Sequence, residues 1–362
     1  MKSTTSPLTK QSGALSISSS FEKFFNEYDC LTITGPTGVG KTGLALSLAE
    51  VWPIEIISMD SALVYKSMDI GTAKPSAAEL ARVPHHLINI RSPLEAYNAA
   101  EFAENARQLI TEIRAKGKLP VIVGGTLLYF KALFEGLNEL PKTDPNIRDT
   151  INEQARAMGW PALHAQLQQI DAVTAARLSP NDAQRISRAL EVWRSSGRAL
   201  SSYFIDKPNN LIRNKLVSLE PISRAWLHER LALRFHQMLS AGFIDEVKEL
   251  KNTYALSPLM PSMRCVGYRQ IWEFLEAHGN ETAPSQTIGP QMNKSVQRSQ
   301  STQSGERQEM IEQAVAATRQ LAKRQLTWLR SIKTKEIIEC DKEDGQRLTK
   351  DLFKILKIEV LH

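Results

Sequence analysis

Short apolar runs recur along the chain at residues 30–34, 54–59, 86–90, 119–123 and 215–219, with a last one at 336–340. Each is about the length of one strand and is continuous rather than alternating. That pattern predicts strands covered on both faces, as in a parallel sheet. The stretches between them carry helical periodicity, and strands alternating with helices predict an α/β fold. From 145 to about 203 the pattern changes to helices alone, with Trp160, Leu163, Leu167 and Ile170 at helical spacing. This predicts a small all-helical insert at 145–205 within a core made of 29–144, 206–278 and 308–362. Helical patterns return at 225–250 and 307–330. Residues 1–28 and 279–307 are poor in large apolar side chains and rich in Ser, Thr and Gln. Such segments bury too little apolar surface to offset their ordering entropy, so a disordered leader and a disordered polar loop are expected.

The run from Leu31 to Glu50 holds the first candidate chemistry. The apolar strand breaks into Gly35, Pro36, Thr37, Gly38, Val39, Gly40, Lys41 and Thr42, which fits G-x-x-x-x-G-K-[ST] between a strand and a helix. Glycines let backbone N–H groups converge on phosphate oxygens, and the helix start and Lys41 add positive charge. The Thr42 hydroxyl can hold Mg²⁺. The expected ligand is a diphosphate or a nucleotide, and the fold is a P-loop NTPase-like, mostly parallel sheet with helices on both faces. Which phosphate compound binds is left open by the motif.

Composition narrows the class. The chain has 362 residues and 42% hydrophobic content, enough for a core domain plus a smaller appendage. Cys30, Cys265 and Cys340 lie far apart with no C-x-x-C pair, which excludes a disulfide framework and a zinc site of that type. The polar N-terminus lacks the apolar stretch of a secretory signal, and no segment is long and apolar enough to span a bilayer. A reduced, cytoplasmic protein with no membrane partner is expected. The formal charge of +6, with pI near 9.1, permits an anionic macromolecular partner without requiring one.

Two further strand ends carry polar residues. Asp60 follows the strand at 54–59, where α/β folds bind ligands. There it can hold a metal through water, accept a proton from a nucleophile, or cap the next turn. The strand at 119–123 leads into Gly124, Gly125 and Thr126 and carries no acidic residue, which argues against a motor ATPase. Thr126 can hydrogen-bond a substrate or cap the following helix.

Together these stretches, GPTGVGKT, SMDSALVYKSMDIGTAKP and PVIVGGTLLYFKAL, resemble the tRNA dimethylallyltransferases, also called isopentenyl-diphosphate:tRNA transferases. The runs 180–192, 234–239, 264–270 and 317–330 extend the likeness over roughly residues 29–335. Gly38-Val39 stands where most bacterial members have Ala-Ser, a change that a site built from backbone N–H groups tolerates. The resemblance implies transfer of the dimethylallyl group of dimethylallyl diphosphate to the exocyclic amine of the adenosine 3′ of the anticodon. The tRNAs concerned read codons beginning with U. It implies that residues 35–42 bind diphosphate and Mg²⁺, that Asp60 is the general base, and that Thr126 contacts the adenine.

By the same resemblance the tRNA anticodon stem-loop is held by Asp60, Ser61, Ala62 and Leu63, by Gln184, Arg185, Ile186, Ser187 and Arg188, and by Arg264, Cys265, Val266, Gly267, Tyr268 and Arg269. Arg148 is a further expected contact. Basic residues cluster accordingly: Arg177, Arg194 and Arg198 lie near Arg185 and Arg188, and Arg319, Lys323 and Arg330 share one helix face. The enzyme is expected to act as a monomer. Three other readings share parts of the pattern: an adenylate isopentenyltransferase using free AMP, ADP or ATP, a small-molecule P-loop kinase, and a catalytically silent RNA-binding protein.

Overall fold

The computed structural model describes residues 7–138, 140–141, 144–204, 212–278, 293–341 and 345–359. The apolar runs become six strands: β1 (Cys30–Thr34), β2 (Ile54–Ser58), β3 (His85–His86), β4 (Leu119–Val123), β5 (Asn214–Glu220) and β6 (Glu336–Glu339). They form one parallel sheet in the order β3-β2-β4-β1-β5-β6. Every residue of β1, β2 and β4 is buried, which is why these segments read as unbroken apolar runs. β1 is central, with Thr32 opposite both Ile122 of β4 and Leu216 of β5. The chain leaves β1 toward one edge of the sheet and returns through β5 to the other. The loop after β1 therefore opens at the switch point of the strand order, where such sheets bind ligands.

The chain divides into two units, residues 1–133 with 211–362, and residues 134–210. The first unit contains the sheet. Before the division its helices are α1 (Pro7–Glu27), α2 (Lys41–Leu48), α3 (Ala77–Arg82), α4 (Ala99–Ala115) and α5 (Leu127–Phe134). Within the second unit α6 (Pro145–Met158), α7 (Trp160–Ile170), α8 (Ala172–Ala175) and α9 (Ala183–Ser196) close over Ile151, Leu163, Leu167, Ile186 and Leu190. The side chain of Asp182 caps α9 through the Arg185 N–H, and Gly197 ends it in left-handed backbone. Back in the first unit follow α10 (Arg224–Ser240), α11 (Phe243–Thr253), α12 (Tyr268–His278), α13 (Asn293–Leu329) and α14 (Gly345–Leu356). No helix among the described residues is long and apolar enough to cross a membrane, and the three cysteines are free.

Three expectations are corrected. The run 86–90 is a strand only at its first residue, because Leu87 (φ 63°) and Asn89 (φ 57°) turn into left-handed backbone. The amides of Ile90 and Arg91 then bond Val64 O, tying this stretch to the loop after β2. The expected disordered leader is a helix over most of its length. Phe24, 6% exposed, lies against Trp52 and Tyr28, Phe21 lies on the Trp52 edge, and Arg114 covers the Phe25 ring. Aromatic burial offsets the ordering cost of an otherwise polar segment. The polar loop is corrected in its second half. Residues 279–292 lie outside the described residues, but from Asn293 the chain is already α13. After Pro290 no proline interrupts the sequence up to Leu329, so a helix nucleated by the apolar turns downstream extends upstream at little cost.

If α1 is held by this aromatic contact, Phe24→Ala is expected to lower unfolding free energy by about 3 kcal/mol. A urea titration checks it. An unchanged midpoint would show that α1 adds nothing to the core.

Candidate active site

The loop 35–42 joins β1 to α2, and Gly40 supplies the left-handed turn (φ 92°) that starts the helix. Lys41 folds back over the loop and donates its Nζ to Gly35 O at 3.1 Å and Pro36 O at 2.7 Å. Burial brings its ammonium down to about 8, opposed by the attraction of Asp60. The Thr42 hydroxyl follows in the first turn of α2. Half-buried Lys41 and Thr42 thus lie at a helix N-terminus, the arrangement that suits an anion.

Asp60 and Thr126 come from neighbouring strand ends. β2 and β4 pair through Ser58 and Val123, and the Thr126 N–H bonds Met59 O at 3.2 Å. Gly124 makes this possible, since a Cβ there would lie 2.0 Å from Met59 O. Thr126 Oγ1 accepts the Ser61 N–H at 3.1 Å and lies 3.4 Å from Ser61 Oγ. One Asp60 oxygen, Oδ1, accepts the Ala62 N–H at 2.8 Å, so the turn-capping role weighed from the sequence is real. It occupies one oxygen and leaves Oδ2 for other chemistry. Asp60, Ala62, Leu63 and Thr126 are half-buried and Ser61 is exposed.

Three residues of this site were missed from the sequence as functional candidates. Arg230 and Arg234 stand one turn apart on α10, flanking the buried stripe of Leu227, Leu231 and Phe235. Arg230 donates Nε to Gly38 O at 2.5 Å and its guanidinium lies over Trp226. Arg234 is drawn to Asp60, repelled by Arg230, and held below the usual arginine value by burial. An arginine pair at i, i+4 beside a buried stripe was the available signal. Gln325 of α13 accepts the Thr37 N–H and donates to Gly125 O, both at 2.9 Å. It joins the phosphate loop to the loop after β4.

The expected tRNA-contacting runs are only partly exposed. In 264–269, Arg264 and Arg269 are exposed, Cys265 and Val266 are half-buried, and Gly267 and Tyr268 are buried. The Tyr268 hydroxyl donates inward to Glu246 Oε1, so its side chain packs within the first unit. Within the second unit, Gln184 and Arg185 are exposed and Arg188 half-buried. Ile186 lies in the helical core and Ser187 donates to Glu191 Oε1. Both side chains turn inward while Gln184 and Arg185 turn out, because on a helix adjacent residues face different directions. Glu191, 3% exposed, also accepts from Arg148 (Nε 2.8 Å, Nη2 3.2 Å) and from Arg188 at 3.4 Å. Its carboxylate raises the Arg148 value. Arg185 is paired with Asp182 at 2.6 Å.

A family described as IPP transferase matches residues 63–332. The chain belongs to the IPP transferase family. A tRNA dimethylallyltransferase of Polaromonas sp. is 52% identical over 323 residues, covering 87% of this chain and 92% of its own. The crystal structure of the full-length tRNA isopentenylpyrophosphate transferase of Bacillus halodurans is 32% identical, with a TM-score of 0.61 over 91% of this chain and 96% of its own. A eukaryotic dimethylallyltransferase acting on tRNA, 24% identical, shares the fold at a TM-score of 0.69 over 92% of this chain and 81% of its own. The family match begins after the phosphate loop and Asp60.

Proposed function

We propose that this chain transfers the dimethylallyl group of dimethylallyl diphosphate to the N6 amine of the adenosine 3′ of the anticodon, in tRNAs reading codons beginning with U. The product is N6-dimethylallyladenosine. The observation that carries the reading is the convergence of a phosphate loop, Lys41 and Arg234 with a carboxylate whose Oδ2 is not used by the Asx turn. In the proposed step the amine nitrogen attacks the allylic carbon and the carbon–oxygen bond breaks. The electron pair leaves with diphosphate, and the amine proton passes to Asp60. Positive charge at the loop stabilises the leaving group, and a positioned base removes the proton as the bond forms.

The donor set fits Mg²⁺, a hard cation that takes few protein oxygens and completes its shell with phosphate and water. Thr42 would hold it through its hydroxyl, and it would neutralise the departing diphosphate. For the acceptor, the adenine must leave its stack in the anticodon loop, which costs a few kcal/mol. Contacts that offset this are proposed for Ser61, Thr126, Arg264 and Arg269 in the first unit, and for Gln184, Arg185, Arg188 and Arg148 in the second. Arg148 and Arg188 both donate to Glu191, and Arg188 also donates Nη2 to Pro141 O at 2.9 Å, so contact with RNA is proposed to exchange or share these bonds.

The test is to incubate the protein with Mg²⁺, dimethylallyl diphosphate and either unmodified tRNA or AMP, then digest and look by mass spectrometry for the added prenyl mass. The mass is expected on one tRNA adenosine and not on AMP. Prenylated AMP, or ATP consumption without prenylation, would overturn the proposal. Lys41 adds a pH dependence. Diphosphate binding needs its positive charge, which is present below about pH 8 and lost as pH rises through that value. The KM for dimethylallyl diphosphate is therefore expected to be flat near pH 7 and to climb above about pH 8. A KM unchanged to pH 9 would remove Lys41 charge from binding.

A further inference from the structure

Residues 69–75, Asp-Ile-Gly-Thr-Ala-Lys-Pro, take no part in the chemistry above, yet they are fastened from two sides. Glu246, in the first turn of α11, holds four donors on one carboxylate. Its Oε2 accepts the N–H groups of Asp69 at 2.8 Å and Ile70 at 2.7 Å. Its Oε1 accepts the Gly71 N–H at 3.1 Å and the Tyr268 hydroxyl at 2.5 Å. From the inner side Lys74, 5% exposed, donates to Tyr65 O at 2.8 Å and to Asp69 and Asn89, each at 2.5 Å.

Phe243, on the same helix as Glu246, is wedged between two glycines. A Cβ on Gly71 would lie 2.1 Å from its ring, and one on Gly267 would lie 2.8 Å away. The ring meets Tyr268 edge-on at 4.8 Å. Within the same loop Ser67 (φ 61°) and Ala73 (φ 50°) hold left-handed backbone that side-chain-bearing residues disfavour. Contacts from outside the loop keep it in that shape.

We propose that Glu246 is a positioning residue for the transfer reaction. It fixes the loop 60–75, which carries Asp60 at its start, and the turn 264–269, which carries Arg264 and Arg269, as one body. The base and the two arginines then meet the acceptor in constant register. A carboxylate suits this junction because it offers only acceptors to four converging N–H and O–H groups. An amide would point its own N–H groups at part of that set. The inference rests on the reading that tRNA is the acceptor.

Glu246→Gln keeps size and shape but cannot accept all four bonds. Its KM for tRNA is expected to rise about tenfold or more, with the KM for dimethylallyl diphosphate within about twofold of wild type. Tyr268→Phe, which removes one donor, is expected to raise the tRNA KM by only a few-fold and serves if the first variant does not fold. Hydrogen exchange read by mass spectrometry should quicken together in peptides covering 65–75 and 264–270 of Glu246→Gln, and not in the peptide covering 35–42. Equal rises in both KM values, unchanged kinetics, or faster exchange in only one of the two segments would overturn the proposal. If the wild-type protein prenylates no tRNA, the transferase reading fails by itself. The joint exchange of the two segments still decides whether Glu246 holds them.

Discussion

Asp60→Asn is expected to lower the rate of transfer by about 10²–10⁴-fold while leaving tRNA affinity close to wild type. The substitution is chosen from the geometry. Asp60 Oδ1 accepts the Ala62 N–H at 2.8 Å, and an asparagine Oδ1 can accept the same bond. The turn that places Ser61 against Thr126 is then kept. What disappears is the capacity of the second oxygen to take a proton. Single-turnover rates with saturating dimethylallyl diphosphate, measured beside stem-loop binding, separate the two effects. Near-normal turnover would remove Asp60 from the base role, and lost binding with an intact rate would make it a contact instead.

Gly124→Ala is expected to cost at least about 10²-fold in kcat/KM, although residue 124 needs no part in the chemistry. A Cβ at this position would lie 2.0 Å from Met59 O and 2.4 Å from Met59 C, both main-chain atoms with no flexible end to swing aside. The ends of β2 and β4 must separate, and those ends carry Asp60 and Thr126. Overpacking of this kind also lowers stability by about 1–3 kcal/mol. Gly43→Ala is the control, since a Cβ there meets nothing within 4 Å and the position is inside α2. Kinetics and urea midpoints for both variants check the claim. Wild-type kinetics in Gly124→Ala would mean that β2 yields without moving Asp60.

Parts of the site were legible in the sequence because they are local. The phosphate loop is a main-chain device within eight residues, 35–42, so a linear motif describes it fully. β1, β2 and β4 were legible because burial on both faces leaves one kind of pattern. Asp60 and Thr126 follow such strands directly, so each was legible as a strand-end residue, while their approach came only with the pairing of β2 and β4. Motif membership did not tell which side chains point outward. Ile186, Ser187 and Tyr268 lie inside runs expected to touch RNA, and each faces its own core.

What only the tertiary structure decided are contacts between residues with no shared local pattern. The helix α1 was unreadable because its aromatics acquire meaning only against Trp52. Gln325 joins Thr37 to Gly125 across most of the chain, and Glu246 joins Gly71 to Tyr268. A glutamine in a basic helix and a glutamate in a first helical turn look like ordinary solvated residues until the partners are in place. The sequence by itself determined the sheet, the phosphate loop and the residues at the strand ends, because these follow from local backbone chemistry and burial periodicity. The tertiary structure decided how those ends are held to one another, because hydrogen bonding and close packing depend on distances in space that spacing along the chain does not contain.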